Sequence, residues 1–259
     1  MQHNISYRSV KPCRELNDFV DSFWMLCNHS NLHEELIVFP NGLIDLAFYK
    51  SLSQPLNVVL LGVETHFKQS SLLPDMSIFA ISFKPLAIEY LFQNNVGSLL
   101  NTSKELPSNF WSFNSEDLND FEDFCQRANQ KILPHIPTII DSRKKKLFEL
   151  IFTKKGILNI NELPLEVFWS NRQINRYFKE QFGLTLKAYC TIIRFAASLR
   201  HIKDGKLSPK LSFSDQSHFI KEIKKFAGVS PKELYKNEND RFIQITVLKE
   251  KANYEDSNA

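Results

Sequence analysis

SNRQINRYFKEQFGLTLKAY (170–189) and DQSHFIKEIKKFAGVSPKEL (215–234) superpose without a gap at a shift of 45 residues. Ile174 falls on Phe219, Arg176 on Lys221, Phe178 on Ile223, Lys179 on Lys224, Gly183 on Gly228 and Lys187 on Lys232. A repeat of this kind predicts two copies of one supersecondary unit. In the first copy, Ser170 with Gln173 three residues on is a capping-box pattern, so a helix should begin at Asn171. At 100° per residue Ile174, Tyr177, Phe178 and Phe182 share one arc, with Arg172, Arg176 and Lys179 opposite and Asn175 beside them. Gly183 supplies the left-handed residue that ends the helix, and Gly228 does the same in the second copy. There the apolar stripe is Phe219, Ile220, Ile223, Phe226 and Ala227, leaving Ser217, Lys221 and Lys224 opposite, flanked by His218 and Lys225.

These polar faces carry the chemistry that reads a duplex. Arginine suits guanine and phosphate, asparagine and glutamine suit adenine edges, and lysine suits phosphate. A solvated helix face explains either helix taken alone, but solubility does not demand two capped copies of the same pattern. Between them, KAYCTIIRFAASLRHI (187–202) reads as a connecting helix with Ile192, Phe195, Ala196, Leu199 and Ile202 inward and Arg194, Ser198 and His201 outward. A rigid connector could hold two recognition helices about one DNA turn, ~34 Å, apart.

The two repeat segments, together with the IIRFAASL helix bearing Arg194, the DQSHF run and GVSPKEL, resemble the AraC/XylS family of bacterial transcription regulators over roughly 155–235. The resemblance implies an all-helical DNA-binding unit of two helix-turn-helix subdomains joined by a long helix, with recognition helices at 171–182 and 215–227. It implies DNA contacts by Asn171, Arg172, Gln173, Asn175, Arg176, Lys179, Arg194, Gln216, Ser217, His218 and Lys221, the first helix reading most of the sequence. The N-terminal half resembles, more loosely, the mainly β regulatory domains of such proteins through FPNGLIDLAFY (39–49), LLGVET (60–65) and SFKPLAIEYLF (82–92). A small-molecule effector of unassigned site, homodimerisation and, for an activator, RNA polymerase are the further partners that the family analogy favours.

Two departures from the family pattern have structural consequences. Leu163 is followed by Pro164, which a helix tolerates only in its first turn, so the first scaffold helix should start near Asn161. KLSPKLSF (206–213) is several residues short of the family's spacing between Gly205 and Ser214. The second scaffold helix is therefore expected to be shortened or lost, and this motivates a competing reading: a ligand-sensing or protein-interaction module that no longer selects an operator.

The remaining sequence predicts an α+β, two-domain chain, divided as a mainly β regulatory domain with flanking helices at 1–140, the DNA-binding domain at 141–236 and a polar tail at 237–259. Short apolar runs at 36–40, 43–49, 58–63 and 78–83 read as strands, and Asn41-Gly42 reads as a hairpin turn between the first two. Leu86 to Phe92 and Asp117 to Leu133 have helical spacing. Of the 32 Lys+Arg and 29 Asp+Glu, residues 1–140 hold 9 and 15, a net of −6, leaving +9 for the remainder. That separation fits one domain meeting a polyanion.

Neither a leader-like apolar region nor a run of about 18 apolar residues occurs, so a cytoplasmic protein without a membrane segment is expected. Four scattered cysteines suggest neither a disulfide framework nor a zinc site. His29 and His33 stand four apart, but in a segment that reads as a polar loop. Seven glycines and the absence of phosphate-loop, dinucleotide or nucleophile-elbow motifs argue against nucleotide-dependent catalysis, and no cofactor, metal or enzyme activity is expected. Trp24, Phe39, Phe48, Phe79 and Phe83 could line a pocket or fill a core. Asp45, inside an apolar strand, reads as a turn cap, a bulge residue or the polar anchor of a pocket.

Overall fold

Alternating apolar residues build eight strands among the described residues of the computed structural model, which describes residues 5–51, 55–92, 96–208, 213, 215–238, 241–245 and 248. The strands are β1 Ile5–Val10, β2 Val20–Asn28, β3 Glu34–Val38, β4 Ile44–Lys50, β5 Asn57–Leu61, β6 Lys68–Leu72, β7 Ser77–Phe83 and β8 Ser103–Leu106. Six form an antiparallel sheet in the order β1-β2-β7-β4-β5-β8, and β3 pairs with β6 in a separate two-stranded sheet. Successive side chains of a strand point to opposite faces. One face of the large sheet therefore presents Phe23, Phe48 and Phe79 to Phe124 of helix α2 (Phe121–Ile132), with ring centroids 5.3 to 6.3 Å apart. The other face packs Leu26, Ala47, Ile78 and Ala80 against Leu36 and Leu72 of the small sheet. Phe39, Phe48, Phe79 and Phe83 are thus core residues, all nearly inaccessible.

The predicted hairpin at Asn41-Gly42 is a crossover. β3 pairs with β6 while β4 pairs with β5 and β7, so the turn carries the chain between sheets. Pro40 has no N–H to give a ladder, and the apolar sides of the two flanking strands belong to different layers. Gly42 has φ of +77°, the left-handed region that favours glycine, and a Cβ there would press on the Ile193 Cδ1 methyl, which would have to move aside.

The predicted helix from Asp117 to Leu133 breaks in two. Residues Ser115–Leu118 form a 3-10 turn, and Asp120 then caps α2 by accepting the N–H groups of Glu122 and Asp123 at 2.8 and 3.2 Å. Asp117 is buried and paired with Arg127 (3.1 Å) and Lys131 (3.3 Å) of α2.

Asp45 neither caps a turn nor sits in a bulge; it is mid-strand, paired with Leu61 on one side and Ser82 on the other. Trp24 Nε1–H donates to Ser82 Oγ at 2.9 Å, and the Ser82 hydroxyl donates to Asp45 Oδ1. Burial pushes the Asp45 carboxyl up to about 6 from 3.8, opposed by the Ser82 hydrogen bond. The folded carboxyl holds its proton more tightly than the unfolded one, so stability is lost as pH rises from about 4 through 6. Full burial would make that loss about 3 kcal/mol, and the partial exposure of the side chain reduces it to about 1–2 kcal/mol. Asp45→Asn keeps an acceptor for Ser82 and removes the titration. Urea unfolding should show it more stable than the parent above pH 7 and no different below pH 4; equal stability at both would mean that the carboxyl is solvated.

From α1 (Leu86–Tyr90) and α2 onward the chain is mainly helical: α3 Ser142–Thr153, α4 Leu163–Val167, α5 Asn171–Phe182, α6 Leu186–Lys203, α7 Gln216–Ala227 and α8 Pro231–Lys236. Pro164 lies in the first turn of α4, which starts two residues after the expected Asn161. The expected loss of the second scaffold helix concerns residues 209–212 and 214, which lie outside the described residues, as does the last part of the chain, 249–259. Of the first part of the expected polar tail, the described residues 237–238 and 241–245 include buried side chains instead. Asn237, Phe242 and Ile245 are buried, and the Ile37 N–H donates to the Arg241 carbonyl at 2.7 Å. Ile37 and Phe242 form a parallel bridge there. Charged neighbours hide these apolar residues when composition is averaged over the segment.

Candidate nucleic-acid interface

The first recognition helix is set by its caps. Ser170 Oγ accepts the Gln173 N–H at 3.3 Å, the Gln173 carboxamide oxygen accepts the Ser170 N–H at 3.1 Å, and Gly183 ends the helix at φ +72°. Its buried face, Ile174, Tyr177, Phe178 and Phe182, packs on Phe148 of α3 and Tyr189 of α6. The opposite side exposes Arg172, Gln173, Arg176 and Lys179. Arg176 makes a loose ion pair with Glu180 at 3.8 Å, while Arg172 and Lys179 have no ion pair among the described residues.

Asn171 and Asn175 are half-buried and already engaged. Asn171 Nδ2 donates to the Ile160 carbonyl at 2.9 Å, and Asn175 Nδ2 donates to the Asn171 carbonyl at 3.0 Å. The Asn175 carboxamide oxygen faces the Leu186 N–H at 3.4 Å, tying α5 to the start of α6. Both amides therefore hold the unit together in this conformation.

In the second unit Asp215 caps α7 by accepting the His218 N–H at 2.8 Å, and Gly228 ends it. Ser217, His218 and Lys221 are exposed. Gln216 is exposed too, with Nε2 donating to the Leu207 carbonyl at 2.9 Å. Arg194, outward by helical periodicity, is covered by α7: its Nη2 lies 3.0 and 3.1 Å from the two Glu222 carboxylate oxygens, and its guanidinium stands over the Phe213 ring at 5.3 Å. The structure thus groups Arg172, Gln173, Arg176 and Lys179 on α5, groups Gln216, Ser217, His218 and Lys221 on α7, and sets Arg194 between the two units.

Contacts that the sequence did not predict brace α5 and α6 from behind. The Tyr177 hydroxyl donates to Glu89 Oε2 at 3.2 Å, and Glu89 is also paired with Lys144. Burial and the Glu89 carboxylate push the Tyr177 phenol well up, so it stays a donor. The Val96 N–H donates to the Gln181 carbonyl at 2.9 Å, satisfying a carbonyl in the last turn of α5 from the N-terminal half. Tyr189 OH donates to the Gly42 carbonyl at 2.7 Å, fastening α6 to the sheet crossover.

The three cysteines Cys27, Cys125 and Cys190 are buried, and burial pushes the thiols of Cys125 and Cys190 up to about 12, away from nucleophilic use. No group of three His, Cys, Asp or Glu able to hold a metal occurs among the described residues, where His29 instead hydrogen-bonds Ser6 Oγ at 2.6 Å. No single helix among them is long and apolar enough to cross a membrane.

Residues 8–105 match a family described as Domain of unknown function (DUF6597), and residues 166–237 match the family described as Helix-turn-helix domain. No curated protein sequence matches the chain. Solved structures of ToxT from Vibrio cholerae have a similar arrangement. One, from strain O395, is 15% identical, with 91% of this chain and 99% of that chain covered and a TM-score of 0.43. A second, of wild-type ToxT from strain SCE256 bound to an unsaturated fatty acid, is 16% identical, with 91% and 97% covered and a TM-score of 0.39. The duplicated unit, its connecting helix and the family match agree: residues 166–237 form a helix-turn-helix domain, joined to a β-rich N-terminal region.

Proposed function

We propose that the chain is a sequence-specific transcription regulator that reads duplex DNA mainly with α5, assisted by α7. The observation that carries this reading is the two-sided character of α5: four apolar side chains fix it to the protein while Arg172, Gln173, Arg176 and Lys179 face outward together. Arg172 and Gln173, in the first turn, are placed to meet base edges, because recognition helices enter the major groove by their N-terminal ends. Arg176, Lys179, Lys221 and the polar groups of Gln216, Ser217 and His218 are suited to phosphate positioning. Helix α6, about 27 Å long at 1.5 Å per residue, is the spacer that sets the two helices along one side of the duplex. Asn171 and Asn175 contribute by holding the turn geometry. In this reading residues 1–140 form the regulatory domain and 141–236 the DNA-binding domain, with Asn237, Phe242 and Gln244 fastening one to the other. Activation through RNA polymerase, and control by a small effector, follow from the family resemblance.

Selection of bound duplexes from a random library near physiological salt tests the proposal. An extended motif is expected. Arg172→Ala should weaken the preferred site by about 1–3 kcal/mol and relax the preference at the base it meets, whereas Lys221→Ala should weaken all sequences alike and lower the salt slope by about one. Equal recovery of every duplex by the parent protein would refute sequence-specific reading and favour the sensing or interaction module.

A further inference from the structure

Phe168 stands where backbone geometry alone would place a glycine. It closes α4 in a left-handed conformation, φ +52° and ψ +41°, which a bulky side chain adopts only under strain. Helices α5 and α7 end in the same region on Gly183 and Gly228. The Phe168 side chain is also 84% exposed, and its ring meets no other aromatic ring among the described residues. Strain and exposure both count against this ring in the free protein, so neither packing nor backbone preference accounts for it. The turn that carries it is nevertheless well fixed. The Phe168 N–H donates to the Pro164 carbonyl, and the following Trp169 turns inward, with its ring 5.2 Å from that of Tyr177 and the Arg143 guanidinium 5.5 Å over it. Ser170 then caps α5.

We infer that Phe168 is a specificity-determining residue whose ring packs on a thymine methyl, beside the bases that the first turn of α5 reads. The inference deepens the regulator reading and rests on it. Phe168 lies two residues before the Ser170 cap, a span of at most about 7 Å, and a major groove is about 12 Å wide. A duplex that admits the first turn of α5 therefore passes within reach of the ring. Leu165, three residues earlier and 77% exposed, extends the apolar lip, while Arg172, four residues later, is exposed and has no ion pair among the described residues. An apolar lip beside a free cation suits a polyanion that also offers apolar groups. Among base edges in the major groove the C5 methyl of thymine is that group, and phenylalanine is one of the side chains that meets it. Covering the ring and the methyl together removes apolar surface from water, a gain realised only in the complex. Phe168 would thus add a preference for thymine next to the position that Arg172 reads, without a hydrogen bond of its own.

The test pairs removal of the ring with removal of the methyl. The full chain and its Phe168→Gly variant are titrated against the duplex that the parent selects, and against copies in which each thymine in turn is replaced by deoxyuridine, which lacks only the C5 methyl. At one thymine, flanking the base whose preference Arg172→Ala relaxes, the replacement should weaken the parent about fourfold, the usual worth of one buried methyl group. Phe168→Gly should bind the thymine duplex more weakly than the parent by a similar factor and bind the deoxyuridine copy no differently. Glycine relaxes the backbone at this position, so the variant should melt no lower than the parent, and unfolding would not explain its loss. A selected motif without a thymine at that flank would overturn the inference. So would a Phe168→Gly variant that binds as tightly as the parent, or one weakened equally on the thymine and deoxyuridine duplexes, which would place the ring on the sugar–phosphate backbone. A parent that selects no motif refutes the regulator reading and this inference with it, whereas any of the preceding results overturns the inference and leaves that reading standing.

Discussion

Phe242→Ala should lower the stability of the whole chain by about 3–5 kcal/mol, the usual cost of truncating a fully buried aromatic. Phe242 is inaccessible to solvent and sits in a chain of rings: its centroid is 5.6 Å from Phe39 of the crossover, Phe39 meets Phe195 of α6 edge-on at 5.9 Å, and Phe195 lies 5.1 Å from Phe226 of α7. Hydrogen bonds between backbone and side-chain amides fix the same segment. The Phe242 N–H donates to the Asn237 carboxamide oxygen at 2.9 Å, and Gln244 Nε2 donates to the Phe39 carbonyl at 3.1 Å. Removing the ring leaves a void that rigid neighbours on four elements cannot close together, so the upper part of the range applies. Phe242→Leu, which keeps most of the volume, should recover part of the loss. At about 2–4 °C per kcal/mol for a chain of this size, the alanine variant should melt roughly 6–20 °C below the parent. A loss under about 1 kcal/mol would mean that the segment does not dock on β3 in solution.

The helix-turn-helix region was legible because its signals are local. Capping box, stripe and terminal glycine fall within fourteen residues of α5, and each is satisfied inside that stretch, so neighbouring sequence suffices to read it. The N-terminal strands were legible by alternation, but their partners were not. Nothing near Asn41-Gly42 says that β3 will leave for a sheet with β6, since strand pairing is decided by which apolar faces meet in three dimensions. The docking of Phe242 beside Ile37 joins residues some two hundred positions apart, and the polar composition around it pointed the other way. Periodicity also gave Arg194 the right face of α6 and the wrong environment. A helical wheel separates inward from outward within one helix, and α7 covers the side that the wheel leaves open.

Glu222→Ala is the second substitution expected to act strongly, because it strands that arginine. The side chains of Arg194 and Glu222 are only 19% and 13% exposed, and Arg194 Nε is already buried without a hydrogen-bond partner in the described structure. Removing one member of a fully buried pair costs about 3–5 kcal/mol; the residual exposure here brings the expectation to about 2–3 kcal/mol. The Phe213 ring offsets part of the stranded charge by its contact with the guanidinium. Replacing both partners, as Arg194→Met with Glu222→Leu, removes charge and desolvation together and should restore most of the stability. The same double variant separates two roles for Arg194. If the guanidinium reaches phosphate in the complex, the variant loses affinity for its selected duplex and its salt slope falls by about one. If Arg194 acts through the position of α7, both quantities stay near the parent values once stability is restored. The pairing with Glu222 favours the second outcome: a contact with DNA would first have to break the ion pair that joins α6 to α7, and Lys221 and Ser217 on α7 are already exposed without that rearrangement.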